Sequence, residues 1–212
     1  MRANEFITEG SNTGTLKALV SHRLSIASIL SSKGYKKLGS GVEAEAWLAP
    51  DGTVLKLITT SGKNSFVIFA NYCQANPNNP FLPQFGGWQR FKLPRSIDGH
   101  DEGLQIRTER LFELPLWLGE ILVSVVGVAR NFTGTDAIDK IFGRRLDNQD
   151  DLAQLIVLLG GKQELLKLIK TINELEKIAD KYGYRLDLHP GNFMLGSDGH
   201  IVINDPFYST RF

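Results

Sequence analysis

From residue 15 to residue 33, apolar side chains recur at mostly three- and four-residue steps: Leu16, Leu19, Val20, Leu24, Ile26, Ala27 and Leu30. That spacing predicts an amphipathic helix, stopped by Gly34. The period then changes. Segments 35–39, 42–49 and 53–59 are short and rich in β-formers, and Asp51-Gly52 predicts a two-residue hairpin between the last two. A second helix is expected over 64–75, ending before the breakers Asn76-Pro77-Asn78-Asn79-Pro80. Strands near 88–93 and 104–110 complete a sheet. After Pro115 the texture turns helical, over 116–130, 152–159 and 163–182, with a polar connection over 131–150 and Gly160-Gly161 between the last two helices. The end reverts to a hairpin, 193–196 and 200–204, around Asp198-Gly199.

This order, strands first and helices after, predicts an α+β chain. The expected parts are an N-terminal arm and helix (1–34), a β-rich lobe (35–112) and a helical lobe with the terminal hairpin (113–212). At 212 residues and 42% hydrophobic content, the chain can bury a core of ordinary size. Its 24 Lys and Arg against 23 Asp and Glu leave a net charge of +1, which argues against a nucleic-acid partner or a polybasic membrane binder. Cys73 stands alone, so no disulfide can form within the chain, and a reducing compartment is expected. The opening MRANEFITEG lacks an apolar leader, and the greasy run 114–129 is interrupted by Glu120. Trp47, Trp88 and Trp117 are read as core residues.

The terminal hairpin carries the chemistry. With a two-residue turn at Asp198-Gly199, facing positions sum to 397, which sets Asn192 opposite Asp205, within about 5 Å. Two side-chain oxygens at the open end of a hairpin suit a hard cation such as Mg²⁺, which takes few protein ligands and fills its shell with water and phosphate. Five residues before Asn192, Asp187 opens the loop Asp187-Leu188-His189-Pro190-Gly191-Asn192.

Asp-x-His-Pro-Gly-Asn followed thirteen residues later by Asp is similar to the catalytic loop and metal motif of the protein-kinase-like superfamily. The wording is closer to its aminoglycoside and other small-molecule phosphotransferases than to typical protein kinases. The front half agrees: Leu38-Gly39-Ser40-Gly41-Val42-Glu43-Ala44 resembles the glycine-rich loop, and Lys56 lies in an apolar strand fifteen residues after Gly41. The resemblance implies a two-lobe kinase-like fold, with an antiparallel β N-lobe and a reduced helical C-lobe, that uses ATP and Mg²⁺. It makes Gly39, Ser40, Gly41 and Val42 the phosphate turn, and Lys56 the ligand of the α- and β-phosphates. Asp187 becomes the group that orients the acceptor hydroxyl, and Asn192 and Asp205 the magnesium ligands. His189 either touches the γ-phosphate or braces its loop. Adenine is expected against the backbone from Glu109 to Leu111, with Leu57 and Leu195 as apolar cover. A cytoplasmic protein is expected; the opening MRANEF also resembles the start of some tailed-phage proteins, which would place it in the host's cytoplasm.

The chain departs from the family in two ways. Helix 64–75 has no acid to pair with Lys56, leaving Asn71 or Gln74 as neutral substitutes. The sequence ends seven residues after Asp205, so the activation segment and later helices of protein kinases are expected to be absent, and a partner chain could complete the short lobe. The resemblance therefore implies a phosphotransferase acting on a hydroxyl of a protein or small molecule. The alternative is a pseudokinase serving as a nucleotide-binding or assembly module.

Overall fold

The computed structural model describes residues 26–40, 44–58, 63–97, 100–129 and 149–209, in two compact units. Residues 15–25 of the expected N-terminal helix, Gly41 and Val42 of the expected phosphate turn, and most of the polar connection over 131–150 lie outside the described residues.

The first unit comprises residues up to Ala70 together with Gln84–Arg110. Helix α1 (Ile26–Ser32) leads into β1 (Lys36–Ser40), β2 (Ala44–Leu48) and β3 (Val54–Ile58), followed by helix α2 (Lys63–Ala75), β4 (Phe85–Ile97) and β5 (His100–Thr108). The strands form one antiparallel sheet in the order β1-β2-β3-β5-β4. Strand alternation sorts side chains onto two covered faces. Leu55, Leu57 and Trp47 pack with Leu30, Ile26 and Ala27 of α1. Ile58, Leu104 and Ile106 pack with Phe66 and Val67 of α2. Each such side chain contributes about 1.5–3 kcal/mol on full burial. Helix α1 thus covers a sheet face that would otherwise be open to water.

The β2–β3 turn differs from expectation. Leu48 pairs with Val54, Ala49 N–H donates to Thr53 O, and Gly52 N–H donates to Ala49 O, so the loop has three residues, Pro50-Asp51-Gly52. Gly52 has φ 83°, the left-handed residue that a three-residue hairpin loop requires.

The Asp51 carboxylate accepts from Thr53 Oγ1 at 2.6 Å, Thr53 N–H at 3.0 Å and Arg107 Nη1 at 2.7 Å. The Thr53 hydroxyl bond, helped by Arg107, holds its pKa down at about 2 against an ordinary 3.8. A depressed carboxylate stabilises the fold above its unfolded pKa, and that stabilisation is lost as pH falls through the folded value. Because Asp51 is 55% exposed, Asp51→Asn is expected to cost under about 1 kcal/mol at pH 7. Urea midpoints of variant and wild type should converge as the pH falls from about 4 to about 2. An unchanged gap at pH 2 would contradict this.

The second unit comprises Asn71–Pro83 and residues from Leu111 onward. It holds β6 (Phe112–Glu113), α3 (Leu116–Ala129), α4 (Gln149–Leu159), α5 (Lys162–Tyr182), β7 (Tyr184–Leu186), β8 (Phe193–Leu195), β9 (Ile201–Ile203) and β10 (Phe207–Ser209). In α5, Leu165, Leu168, Ile169, Ile172, Leu175 and Ala179 form the buried stripe that the periodicity implied. The helix ends at Gly183, whose φ of 72° closes the last turn. Segment 71–83 is tied to this core: Asn79 Nδ2 donates to Thr171 Oγ1, Tyr72 OH of α2 to Glu174 Oε2, and Ile203 N–H to Phe81 O. Cys73 is buried, which pushes its thiol pKa up. Trp117, expected in the core, is instead 49% exposed beside the exposed Leu116, because α3 turns its Leu118, Leu122 and Val125 inward. No described helix is long and apolar enough to cross a membrane.

The architecture is therefore α+β: an antiparallel five-stranded sheet flanked by helices in one unit, and a helical unit with short antiparallel ladders in the other.

Candidate active site

The terminal hairpin repeats the first one. Phe193 pairs with Ile203 and Leu195 with Ile201, so facing positions sum to 396 rather than 397. Gly199 N–H donates to Gly196 O, Gly196 N–H donates to His200 O, and Gly199 has φ 83°. The loop is Ser197-Asp198-Gly199, again with glycine in the left-handed position. The one-residue slip sets Asn192 opposite Asn204, whose N–H donates to Asn192 O at 2.7 Å, rather than opposite Asp205 as expected.

Asn192 and Asp205 nonetheless meet, by another route. Asn192 is only 7% exposed, and its Nδ2 donates to the backbone oxygen of Asp187 at 2.8 Å and to that of Asp205 at 3.1 Å. One amide thereby clamps the two aspartates' backbones together. The ladder β7–β10 does the same from the other side: Leu186 pairs with Phe207, and Asp187 N–H donates to Pro206 O at 2.7 Å. Tyr184 stacks on Phe207 at 6.4 Å beneath it. Asp205 is the one described non-glycine residue with positive φ, at 52°. Such a conformation costs about 1 kcal/mol or more, and it persists here because bonds on both sides fix it.

Pro190–Asn192 makes one tight 3-10 turn, with proline in its first position and His189 as its cap. His189 Nδ1 accepts from Gly191 N–H at 3.1 Å, so this ring braces the loop. Its Nε2 lies 3.8 Å from Asp187 Oδ2, beyond hydrogen-bond reach.

The loop also rests on α3. A Cβ on Gly119, which is buried, would lie 2.8 Å from Pro190 Cβ and 3.0 Å from Pro190 Cα. Helix and loop touch only because glycine has no side chain there. Gly119→Ala is expected to destabilise the protein by about 1–3 kcal/mol, since backbone must move to admit the methyl. A denaturation midpoint equal to wild type would contradict that contact.

The asparagine and aspartate fit a hard cation. Both N–H groups of Asn192 are used inward, which leaves Oδ1 as its remaining ligand atom, and Asp205 adds a half-buried carboxylate. Among the described residues there is no group of three or more His, Cys, Asp or Glu suited to a metal. A magnesium ion needs no such group, because waters and phosphates complete its shell.

A groove of about 670 Å³ opens beside the loop, lined by Glu113, Leu114, Pro115, Leu116, Pro190, Gly191, Phe193 and Met194. Met194 and Glu113 were not foreseen from the sequence. Their cue was the pairing of β6 with β8, where Glu113 faces Met194, and two residues are too few for a strand signal.

In the sheet unit, Gly39 and Ser40 end β1, exposed, paired with Ala46 and Glu45. Lys56 is the single incompletely buried residue of β3, between Ala46 and Ile106 in register. Its Nζ lies 3.8 Å above the centroid of the Phe66 ring. Leu57, expected as apolar cover, alternates to the opposite face, where it is buried against α1. Glu109 N–H donates to Gln84 O, and its Oε1 accepts from Gln84 N–H, so both of these groups are already engaged within the sheet unit. Leu111 and Leu195 are half-buried in the helical unit.

No protein-family model matches the chain, and no curated protein does. Among solved structures it is similar to the ternary complex of streptomycin, ATP and APH(2")-IIa, at 16% identity over 87% of this chain and 71% of that one, with a TM-score of 0.32. That likeness is too distant to assign a role to any residue.

Proposed function

We propose that the protein binds ATP with Mg²⁺ and passes the γ-phosphoryl group to a hydroxyl acceptor. The observation that carries this reading is the Asn192 clamp: one buried amide fixes Asp187 and Asp205 on a short loop and leaves its own oxygen as a ligand atom. Asn192 and Asp205 hold the cation. When bound, Mg²⁺ neutralises charge on the phosphate oxygens. Lys56 binds the α- and β-phosphates, and the glycine-rich sequence from Gly39 onward is assigned to the same phosphates. Asp187 orients the acceptor hydroxyl and takes its proton as the new oxygen–phosphorus bond forms and ADP departs. His189 holds the loop still. The apolar floor at Met194 suits a flat base, and the Glu113 carboxylate suits sugar hydroxyls.

Acceptor class is read from γ-labelled ATP offered with two pools, hydroxyl-bearing small molecules and serine- or threonine-containing proteins. Label transferred to either pool, and lost in Asp187→Ala, supports the reading. Binding of nucleotide without ADP release or transfer would instead favour the second reading, a nucleotide-binding module. One observation favours that alternative: helix α2, where the kinase resemblance calls for an acid, carries none.

A further inference from the structure

We infer that the cleft between residues 75–80 and helix α5 is a second ligand site, which takes a small phosphomonoester with a hydroxylated body. It shares no residue with the proposed nucleotide site, and both of its walls belong to the second unit. The cleft measures about 460 Å³, within the range of about 300–1,000 Å³ usual for pockets that hold small molecules. Lys167, Lys170, Thr171 and Glu174 form the helical wall, sharing one face because the last three follow Lys167 by three, four and seven residues. The turn Asn76-Pro77-Asn78-Asn79-Pro80 forms the other.

The two walls are joined without a ligand. Asn79 Nδ2 donates to Thr171 Oγ1 at 2.8 Å, Asn79 Oδ1 accepts from Phe81 N–H at 3.0 Å, and Tyr72 OH donates to Glu174 Oε2 at 2.6 Å. What these bonds leave over is basic. Lys170 is exposed and, among the described residues, has no carboxylate partner. Lys167 pairs with Glu164 at 2.6 Å, an exposed contact worth little, which an anion in the cleft can replace. Like charges three residues apart on a helix repel, and an anion shared by both ammonium groups relieves that repulsion. A phosphomonoester carries about −1.5 to −2 charges near neutral pH, which matches two lysines better than a single carboxylate does. The remaining space suits a hydroxylated carbon body. Ala75, Pro77 and Pro80 supply apolar wall, and exposed Asn78 supplies an amide. Asn76 Nδ2 donates to Tyr72 O, which leaves its Oδ1 to accept from a hydroxyl.

The test titrates the full chain with glucose 6-phosphate, glycerol 3-phosphate, inorganic phosphate, glucose and glutarate, at constant ionic strength, and follows the backbone amide resonances. Both esters are expected to shift the amides of residues 75–80 and 167–174, and to bind more tightly than inorganic phosphate. Glucose should shift nothing there. Lys167→Gln and Lys170→Gln, both at exposed positions, should each weaken ester binding about fivefold or more. Lys177→Gln, equally exposed on the same helix but outside the cleft, should leave it unchanged. Lys56→Ala should also leave it unchanged, which separates this site from the nucleotide site. No shift at the cleft with millimolar ester overturns the inference. Equal weakening by Lys177→Gln overturns it too, because general attraction of anions to a basic helix would then explain the binding. Glutarate bound as tightly as the esters overturns the phosphate assignment, and inorganic phosphate bound as tightly overturns the hydroxylated body.

Discussion

Asp187→Ala is expected to lower phosphoryl transfer about a thousandfold while leaving affinity for Mg²⁺ and ATP nearly unchanged. The split follows from where the groups sit. The backbone of Asp187 is held by Asn192 and by the ladder bond to Pro206, and both bonds use main-chain atoms that alanine retains. The truncation removes only the carboxylate, which is 39% exposed and free to meet an acceptor. Loss of a positioned proton acceptor typically costs 10²–10⁴ in rate. Single-turnover transfer measured beside calorimetric affinity separates the two effects. Equal transfer by the variant would remove Asp187 from the mechanism, and a parallel fall in affinity would mean that the loop had collapsed.

Asn192→Asp is expected to be more damaging than its chemistry suggests. For a cation alone, aspartate would be the better ligand. Here the side chain must also donate two hydrogen bonds, to the backbone oxygens of Asp187 and Asp205, and a carboxylate has no proton to give. Two part-buried carbonyls would lose their partners, and one would face a negative oxygen instead. Losing a buried partner costs about 1–3 kcal/mol. A fall of about 2–4 kcal/mol follows, roughly 5–15 °C in melting temperature for a chain of this length. A variant as stable as wild type would show that the clamp does not hold the site together.

Much of this was legible in the sequence. The apolar periods of α5 and of the strands found the core elements, because a stripe with 3.6 or 2 spacing has few ways to be buried. Asp187, Asn192 and Asp205 were singled out by their types and spacing, and the structure brings them to one loop cluster. Their geometry was not legible. Asp-Gly fits either as a two-residue turn or as the end of a three-residue loop with glycine left-handed, and both hairpins chose the second, at Pro50-Asp51-Gly52 and at Ser197-Asp198-Gly199. That single residue moved Asn192 from Asp205 to Asn204 across the ladder. What joins Asn192 to Asp205 is a side chain reaching a backbone carbonyl, which no pattern of residue types encodes.

Two further differences have the same origin in direction rather than type. Phe66 reads as one apolar residue among several in α2, and only its packing with Phe69 and Phe85 turns its face toward Lys56. Trp117 reads as core by size, yet α3 has apolar residues around more of its circumference than the unit can cover, and the tryptophan falls on the open side. Gly119 did carry a signal. A glycine inside an apolar helix asks for a close neighbour, and Pro190 is that neighbour.

The central claim is that this chain holds a magnesium–nucleotide complex through Lys56 and Asp205. Calorimetric titration of ATP into wild type, Lys56→Ala and Asp205→Ala, each with and without Mg²⁺, tests it most directly. Magnesium-dependent binding by the wild type, with affinity sharply reduced in Lys56→Ala and the magnesium dependence abolished in Asp205→Ala, is the predicted result. No binding at millimolar ATP, or binding indifferent to magnesium and to both substitutions, would contradict it.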